Sequence, residues 1–146
     1  MDHEIGRLID ALPAAERDNT LILFLGDNGT PRSVIDRRAF TGSHGKSSLY
    51  EGGIRVPFFA SGAGVSARGR TSDALINIVD VYPTLAEMMF GASSARTDGV
   101  SFAAVLDGLA GPRDMNYAEY DGGWTVRDAS YKFIRQKNGE EELYRV

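Results

Sequence analysis

The chain has 146 residues, of which 42% are hydrophobic and 25% charged, a size and composition that suit one globular domain with a sizeable core. The formal net charge of -4 and the lack of a Lys/Arg cluster argue against a surface built for nucleic acid, and no apolar run reaches membrane-spanning length. The absence of cysteine excludes disulfides and thiolate metal sites.

An amphipathic helix is predicted over residues 1–12. Its apolar side chains recur at the i, i+3, i+4 and i+7 spacing of one helical face: Ile5, Leu8, Ile9 and Leu12. The helix should end before Pro13, because the residue preceding a proline is disfavoured in the helical region. Residues 14–19 are predicted to be a connection, and the N-terminus has no signal-peptide pattern.

A short strand and the two polar residues after it are the central feature of the sequence. The run Leu21–Leu25 is continuously apolar, as in a strand buried on both faces of a parallel sheet, and it stops at Gly26. Asp27 and Asn28 follow directly. Ligands of open α/β sheets bind beyond the carboxyl ends of the strands, and calcium prefers oxygen ligands, so both residues are predicted to bind a metal ion. The alternative is a simple turn capped by its own side chains.

A polar loop over residues 30–45 leads to Lys46, the second candidate group. Lys46 could bind an anion as a point charge beside the cation, or it is an ordinary surface lysine. His44 is either a solvated loop residue or a contact to substrate. A tight structural turn, in which the glutamate makes backbone hydrogen bonds, is predicted for Glu51, Gly52, Gly53 and Arg55. A metal ion and Lys46 would together hold one oxyanion.

Strands and helices continue to alternate further along the chain. The predicted elements are a strand at residues 54–61, a short strand at 74–79, a helix at 80–90 and a short helix at 101–106. Asp80 is expected to cap the longer helix, which Gly91 ends, and Ser101 is expected to cap the shorter one.

The last part of the chain predicts a small antiparallel sheet. Four short, aromatic-rich and roughly alternating runs occupy residues 116–120, 124–127, 131–136 and 142–146. Asn138 and Gly139 lie between the last two runs, and Asn-Gly between alternating runs is a strong hairpin signal.

Taken together and in this order, these segments resemble the sulfatases. The matching motifs are D-x-x-I-G-R-L-x-D-A-L at residues 2–12, G-D-N-G at 26–29, K-x-x-x-x-E-G-G-x-R-V-P at 46–57, V-D-V-Y-P-T-L-A-E at 79–87, S-Y-K-F-I-R at 130–135 and E-E-L-Y-R-V at 141–146. The resemblance covers most of the chain and is to arylsulfatase-like members of the alkaline phosphatase superfamily. It implies an α/β fold: the C-terminal part of an alkaline-phosphatase-like sheet with flanking helices at residues 1–111, then a small antiparallel subdomain at 112–146.

The resemblance also implies roles for individual residues. Asp27 and Asn28 correspond to calcium ligands, and Lys46 corresponds to a catalytic lysine that contacts the sulfate. Sulfatases use a formylglycine made from the Cys or Ser of a C/S-x-P-x-R motif, and this chain has no Cys and no such motif. Two further metal-binding aspartates that precede that motif are absent as well. A fragment is therefore expected, inactive by itself, with weak or absent calcium binding.

The function implied for the parent protein is calcium-dependent hydrolysis of a sulfate ester, on a sulfated small molecule or sugar. The alternatives are a phosphoester or phosphonate hydrolase of the same superfamily, or a non-catalytic orphan binding domain. No nucleic acid or membrane partner is expected. The isolated chain is expected to self-associate, because a sheet cut in the middle leaves an unpaired apolar edge. The resemblance implies a periplasmic or secreted location.

Overall fold

The computed structural model describes residues 1–38, 43–91 and 96–146. Its helices are α1 (Asp2–Asp10), α2 (Ala14–Asp18), α3 (Glu51–Ile54), α4 (Val81–Phe90) and α5 (Ala103–Leu106). Its strands are β1 (Leu21–Leu25), β2 (Phe58–Gly62), β3 (Asn116–Tyr120), β4 (Gly123–Arg127), β5 (Tyr131–Arg135) and β6 (Glu141–Arg145). None of the helices in these ranges has the length and apolarity needed to cross a membrane.

The first strand forms as predicted, but its neighbour in the described residues runs antiparallel to it. β1 pairs with β2 in a register that sets Leu21 opposite Gly62 and Leu25 opposite Phe58. All five residues of β1 are half-buried. The prediction of a parallel neighbour is not met here, because a continuous apolar run reports burial on two faces and carries no information about the direction of the adjacent strand.

Three element predictions are wrong at the level of local structure. Residues 14–18 form α2 and not a connection. Residues 74–77 have no regular structure, and Ile78–Asp80 form a 3-10 turn where a strand was predicted. The strand predicted at residues 54–61 begins only at Phe58, because α3 and the extended residue Arg55 precede it. In each case a short apolar or polar run was too brief for its periodicity to separate helix, strand and coil.

The core near β2 is small and aromatic. Phe102, Val105 and Leu106 are buried, and they pack against partly buried apolar side chains of β2, α4 and the segment before it: Phe58, Ala60, Ala74, Ile76, Val81 and Met88. The rings of Phe58 and Phe102 meet edge to face with centroids 5.5 Å apart, a favoured aromatic geometry. This core fixes β2, and through β2 the end of β1.

Asp80 organises the start of α4 in a way that the sequence did not predict. It occupies the N-cap position, but its carboxylate does not cap the helix. It accepts hydrogen bonds from the backbone N–H groups of Asn77 and Val100, both at 2.8 Å, and from Nε of Arg113 at 2.7 Å. The Thr84 hydroxyl donates to the carbonyl oxygen of Asp80 at 2.6 Å. A fully buried carboxylate therefore joins α4 to the chain that leads into β3.

The predicted C-terminal antiparallel sheet is confirmed, with boundaries shifted by one residue on some strands. It is a meander in the order β3-β4-β5-β6. Arg127 of β4 lies opposite Lys132 of β5. The short helix α5 begins after Phe102, and Ser101 Oγ accepts from the backbone N–H of Ala103 at 3.2 Å, close to the predicted cap. The division into units at residues 1–111 and 112–146 stays a prediction.

Candidate functional site

The end of β1 presents two polar side chains in succession. The ladder between β1 and β2 continues for one more bond, from the Gly26 backbone N–H to the Pro57 carbonyl oxygen at 3.0 Å. Asp27 and Asn28 come next, and both are exposed. Their position follows from the apolar strand, which is held in the sheet up to Gly26 and leaves the following polar residues at its edge.

The donor chemistry of Asp27 and Asn28 fits a hard cation, although the described ligand set is incomplete. Asn28 Nδ2 donates to the Gly29 carbonyl oxygen at 3.1 Å, which leaves the amide oxygen as the group that can coordinate. The carboxylate of Asp27 makes no hydrogen bond or ion pair with the described residues. A carboxylate and an amide oxygen are calcium-type ligands. Nowhere in residues 1–38, 43–91 and 96–146 do three or more His, Cys, Asp or Glu side chains gather to hold a metal.

The segment that follows Asn28 is pinned against α3 by backbone hydrogen bonds. Gly29 N–H donates to the Gly53 carbonyl oxygen at 3.0 Å, and Thr30 N–H donates to the Gly52 carbonyl oxygen at 3.1 Å. The approach is so close that a Cβ on Gly29 would lie 2.2 Å from the Gly52 oxygen. Residues 51–54 form a short helix where a turn was expected, and Gly53 is required for space, since its Cβ would lie 2.2 Å from the Ser48 oxygen.

Lys46 is brought to the same edge by the loop that precedes α3. Its backbone N–H donates to the Thr30 carbonyl oxygen at 2.7 Å, so Lys46 lies beside the chain two residues after Asn28. The Lys46 side chain is exposed. Ser47, the next residue, has a φ of 66°, a conformation that is uncommon outside glycine and persists only where the surroundings hold it. One such restraint is the bond from Ser48 Oγ to the Gly45 carbonyl oxygen at 2.6 Å.

His44 lies against Tyr50, a residue that is hydrogen-bonded to the C-terminal sheet. Its ring stacks on Tyr50 with centroids 3.5 Å apart and planes inclined by 8°. The Tyr50 hydroxyl donates to Glu142 Oε1 at 2.7 Å, and burial, together with that carboxylate, raises the pKa of Tyr50. The imidazole is thus half-buried on an aromatic ring that β6 orients. A contact between His44 and substrate stays a prediction.

Glu51 behaves differently from the expectation of backbone hydrogen bonds. Lys132 Nζ donates to Glu51 Oε1 at 2.9 Å, and Arg127 Nη1 donates to Glu51 Oε2 at 2.7 Å. Arg55 also approaches Oε2, at 3.8 Å, but its side chain is 71% exposed. The carboxylate pairs with distant residues because the two neighbouring cations of the sheet require a counter-charge, and Glu51 lies close enough to supply it.

Lys132 and Arg127 are the residues that reasoning from the sequence missed. Only 2% of the Lys132 side chain is exposed, and this burial lowers the pKa of Lys132, against the opposing effect of Glu51. The signal was present in the alternation of β5, where Lys132 shares the buried face with Ile134. A lysine at an inward position requires a partner acid, because a buried unpaired charge is very costly.

The chain matches known proteins along most of its length. The family model described as Sulfatase matches residues 1–92. A protein named Sulfatase from Formosa agariphila is 30% identical over an alignment 150 residues long, which covers 99% of this chain and 28% of that protein. Arylsulfatase G of Rattus norvegicus is 32% identical over 90% of this chain and 29% of its own length. The chain thus spans less than a third of the length of these two curated relatives.

Solved structures give the same picture. The structure of BT4656 in complex with its substrate D-glucosamine-2-N,6-O-disulfate superposes with a TM-score of 0.77 at 28% identity. That match covers 99% of this chain and 31% of the other. The similarity therefore includes the edge at which Asp27, Asn28 and Lys46 lie.

Proposed function

This chain belongs to the sulfatase family, and on that premise we propose that it supplies part of the active site of a calcium-dependent enzyme that hydrolyses sulfate esters. The observation that carries the proposal is the hydrogen bond between the Lys46 backbone N–H and the Thr30 carbonyl oxygen, which brings the backbone of Lys46 to the edge where Asp27 and Asn28 follow β1. Two oxygen ligands and a cation at one edge form an arrangement suited to the sulfate group of such an ester.

In this proposal, Lys46 Nζ binds an oxygen of the sulfate group. An ammonium is a compact point charge on a flexible stem, so Lys46 can follow the charge that develops as the sulfur–oxygen bond breaks. The exposure of its side chain leaves Nζ able to meet a ligand that arrives from solvent. Lys46 thereby contributes to transition-state stabilisation without forming a covalent bond.

Asp27 and Asn28 are proposed to hold a calcium ion beside Lys46. A bound calcium would supply Lewis-acid chemistry and neutralise charge on the sulfate. The two residues carry a charged oxygen and a neutral oxygen at the same strand end. The backbone hydrogen bonds of Gly29 and Thr30 to α3 restrain the position of both residues. Two protein ligands give weak affinity alone, because the number and charge of ligands set it.

The nucleophile is not contributed by residues 1–146, which contain no Cys and no Ser in a C/S-x-P-x-R motif. We propose that these 146 residues alone have no turnover and that activity requires such a motif from elsewhere. A sulfated sugar is the proposed substrate class, supported by the related structure of BT4656, whose substrate is D-glucosamine-2-N,6-O-disulfate.

The proposal is tested by steady-state hydrolysis of an aryl sulfate and an aryl phosphate. The protein to use is the full-length one that joins this chain to a C/S-x-P-x-R segment. Lys46→Ala should lower kcat by about 10²–10³, as does loss of one group that stabilises developing charge. Lys137→Ala is the matched control, since Lys137 is also an exposed lysine. Equal turnover by Lys46→Ala and wild type would refute the role of Lys46, and preference for the phosphate would favour a phosphoester hydrolase.

A further inference from the structure

We propose that Lys132 and Arg127, on the C-terminal sheet, are positioning residues for the edge that carries Asp27, Asn28 and Lys46, and that they act through Glu51. The importance of that edge for catalysis rests on the proposed function, whereas the mechanical coupling does not. Lys132 is a nearly fully buried lysine, and sulfate binding as described above makes no use of it.

The first step of the coupling is the pair of contacts to the Glu51 carboxylate. Each oxygen has its own cation, Lys132 Nζ at 2.9 Å and Arg127 Nη1 at 2.7 Å. The two cations lie directly opposite each other on β5 and β4, so the sheet sets their separation. Charge-assisted hydrogen bonds to both oxygens fix the orientation of the carboxylate as well as its position.

The second step is the backbone of α3. Glu51 is its first residue, and the carbonyl oxygens of the next two residues accept the N–H groups of Gly29 and Thr30. A change in the position of Glu51 therefore moves the acceptors of Gly29 and Thr30. Gly29 directly follows Asn28. The carbonyl oxygens of Gly52 and Gly53, which are positioned through Glu51, therefore also restrain the proposed metal ligands.

Packing tightens the same connection. Leu49, two residues before Glu51, is 2% exposed, and a Cβ added to Gly123 of β4 would come within 2.9 Å of its Cδ1. Little room thus separates the loop from the sheet. The contact of Leu49 with the sheet fixes the distance of the loop from the sheet, and the ion pairs of Glu51 fix the position of α3 along it.

The test is amide hydrogen exchange of Gly29 and Thr30, measured at single-residue resolution by mass spectrometry on the full-length protein that contains this chain. Lys132→Met keeps the length of the side chain and removes its charge. Loss of one charge-assisted hydrogen bond should accelerate exchange of both amides by about tenfold. The Phe102 amide, which donates to Thr84 Oγ1 at 2.9 Å, reports global opening and should not change. Lys137→Met, which removes the exposed pair of Lys137 with Asp121, is the matched control and should leave all three amides unchanged.

A second pair of variants keeps the proposal falsifiable if Lys132→Met does not fold. The Arg127 side chain is 22% exposed and tolerates replacement better. Arg127→Met should accelerate exchange of Gly29 and Thr30, and Arg127→Lys, which retains the charge, should restore slow exchange. Unchanged rates for these amides, or an equal acceleration at Phe102, would overturn the positioning role. Failure of the full-length protein to bind calcium would instead count against the proposed function and leave the exchange result standing.

Discussion

Replacing Asp80 by asparagine should destabilise the fold far more than the same change at Asp121. The Asp80 side chain is 1% exposed and accepts hydrogen bonds from two backbone N–H groups and from Arg113. An asparagine has the same shape but exchanges one acceptor oxygen for a donor nitrogen, so at least one buried N–H would face another donor. Arg113 would also lose its counter-charge.

The expected cost of Asp80→Asn is about 3 kcal/mol, at the lower end of the range for breaking a buried ion pair, because the Arg113 side chain keeps 17% exposure and some hydration. That is a large share of the total stability of a small domain, which is roughly 5–15 kcal/mol. Asp121 pairs with Lys137, but the two side chains are 65% and 70% exposed. Asp121→Asn should therefore cost about 0–1 kcal/mol, and its φ of 49° is one that asparagine tolerates.

The assay is urea unfolding of the wild type and both variants, compared by midpoint at constant slope. Burial alone would raise the pKa of Asp80, but hydrogen bonds from Arg113 and from the backbone N–H groups of Val100 and Asn77 outweigh it and lower that pKa. The stabilisation is therefore complete above the unfolded value of about 3.9 and is lost as pH falls below that value through the folded one. Equal losses for Asp80→Asn and Asp121→Asn at pH 7 would refute this reasoning.

Three further predictions concern the site and the exposed edge. In the full-length protein, Asp27→Ala should weaken calcium binding by at least about tenfold and Asn28→Ala by less, since a carboxylate contributes a full charge and an amide a dipole; calorimetric titration with unchanged affinity for Asp27→Ala would disprove the metal assignment. Residues 1–146 alone should show no hydrolysis of an aryl sulfate with calcium present, and turnover clearly above a Lys46→Ala control would contradict the proposed need for a separate nucleophile. The isolated chain should self-associate, because β1 pairs only with β2 among the described residues and Phe59 is 65% exposed; light scattering from a monodisperse monomer at high concentration would rule this out.

The sequence predicted best what depends on a few neighbouring residues. The apolar run of β1 and the polar residues after it indicated both a strand and its end, and the strand is confirmed. The alternating runs of the last 30 or so residues, with Asn138–Gly139 between two of them, indicated the meander that the structure contains. Gly91 ends α4 with a φ of 84°, as a left-handed cap requires. Each of these signals is local, so one sequence is enough to carry it.

Long-range pairing was the part that could not be predicted. The direction of the partner of β1 depends on residues 58–62, and the partners of Glu51 lie 76 and 81 residues further along the chain. The sequence around Glu51 does not distinguish a carboxylate that bonds to the backbone of its own turn from one that forms ion pairs with two cations of a distant sheet. The only hint was energetic: Lys132 falls on the buried face of β5, and such a lysine must have an acid nearby.

The same distinction explains why a turn was predicted at the glycines after Glu51. Gly52 and Gly53 suggested a tight turn, yet residues 51–54 form a short helix and neither glycine has a positive φ. Gly53 is required because a Cβ there would lie 2.2 Å from the Ser48 carbonyl oxygen. Gly29 is required because a Cβ there would lie 2.2 Å from the Gly52 carbonyl oxygen of α3. An alanine at Gly29 would push apart the two backbones whose hydrogen bonds hold Asp27 and Asn28 at the edge. The glycines of this motif thus act together with Glu51: they permit the close approach, and its ion pairs to the C-terminal sheet determine where that approach occurs.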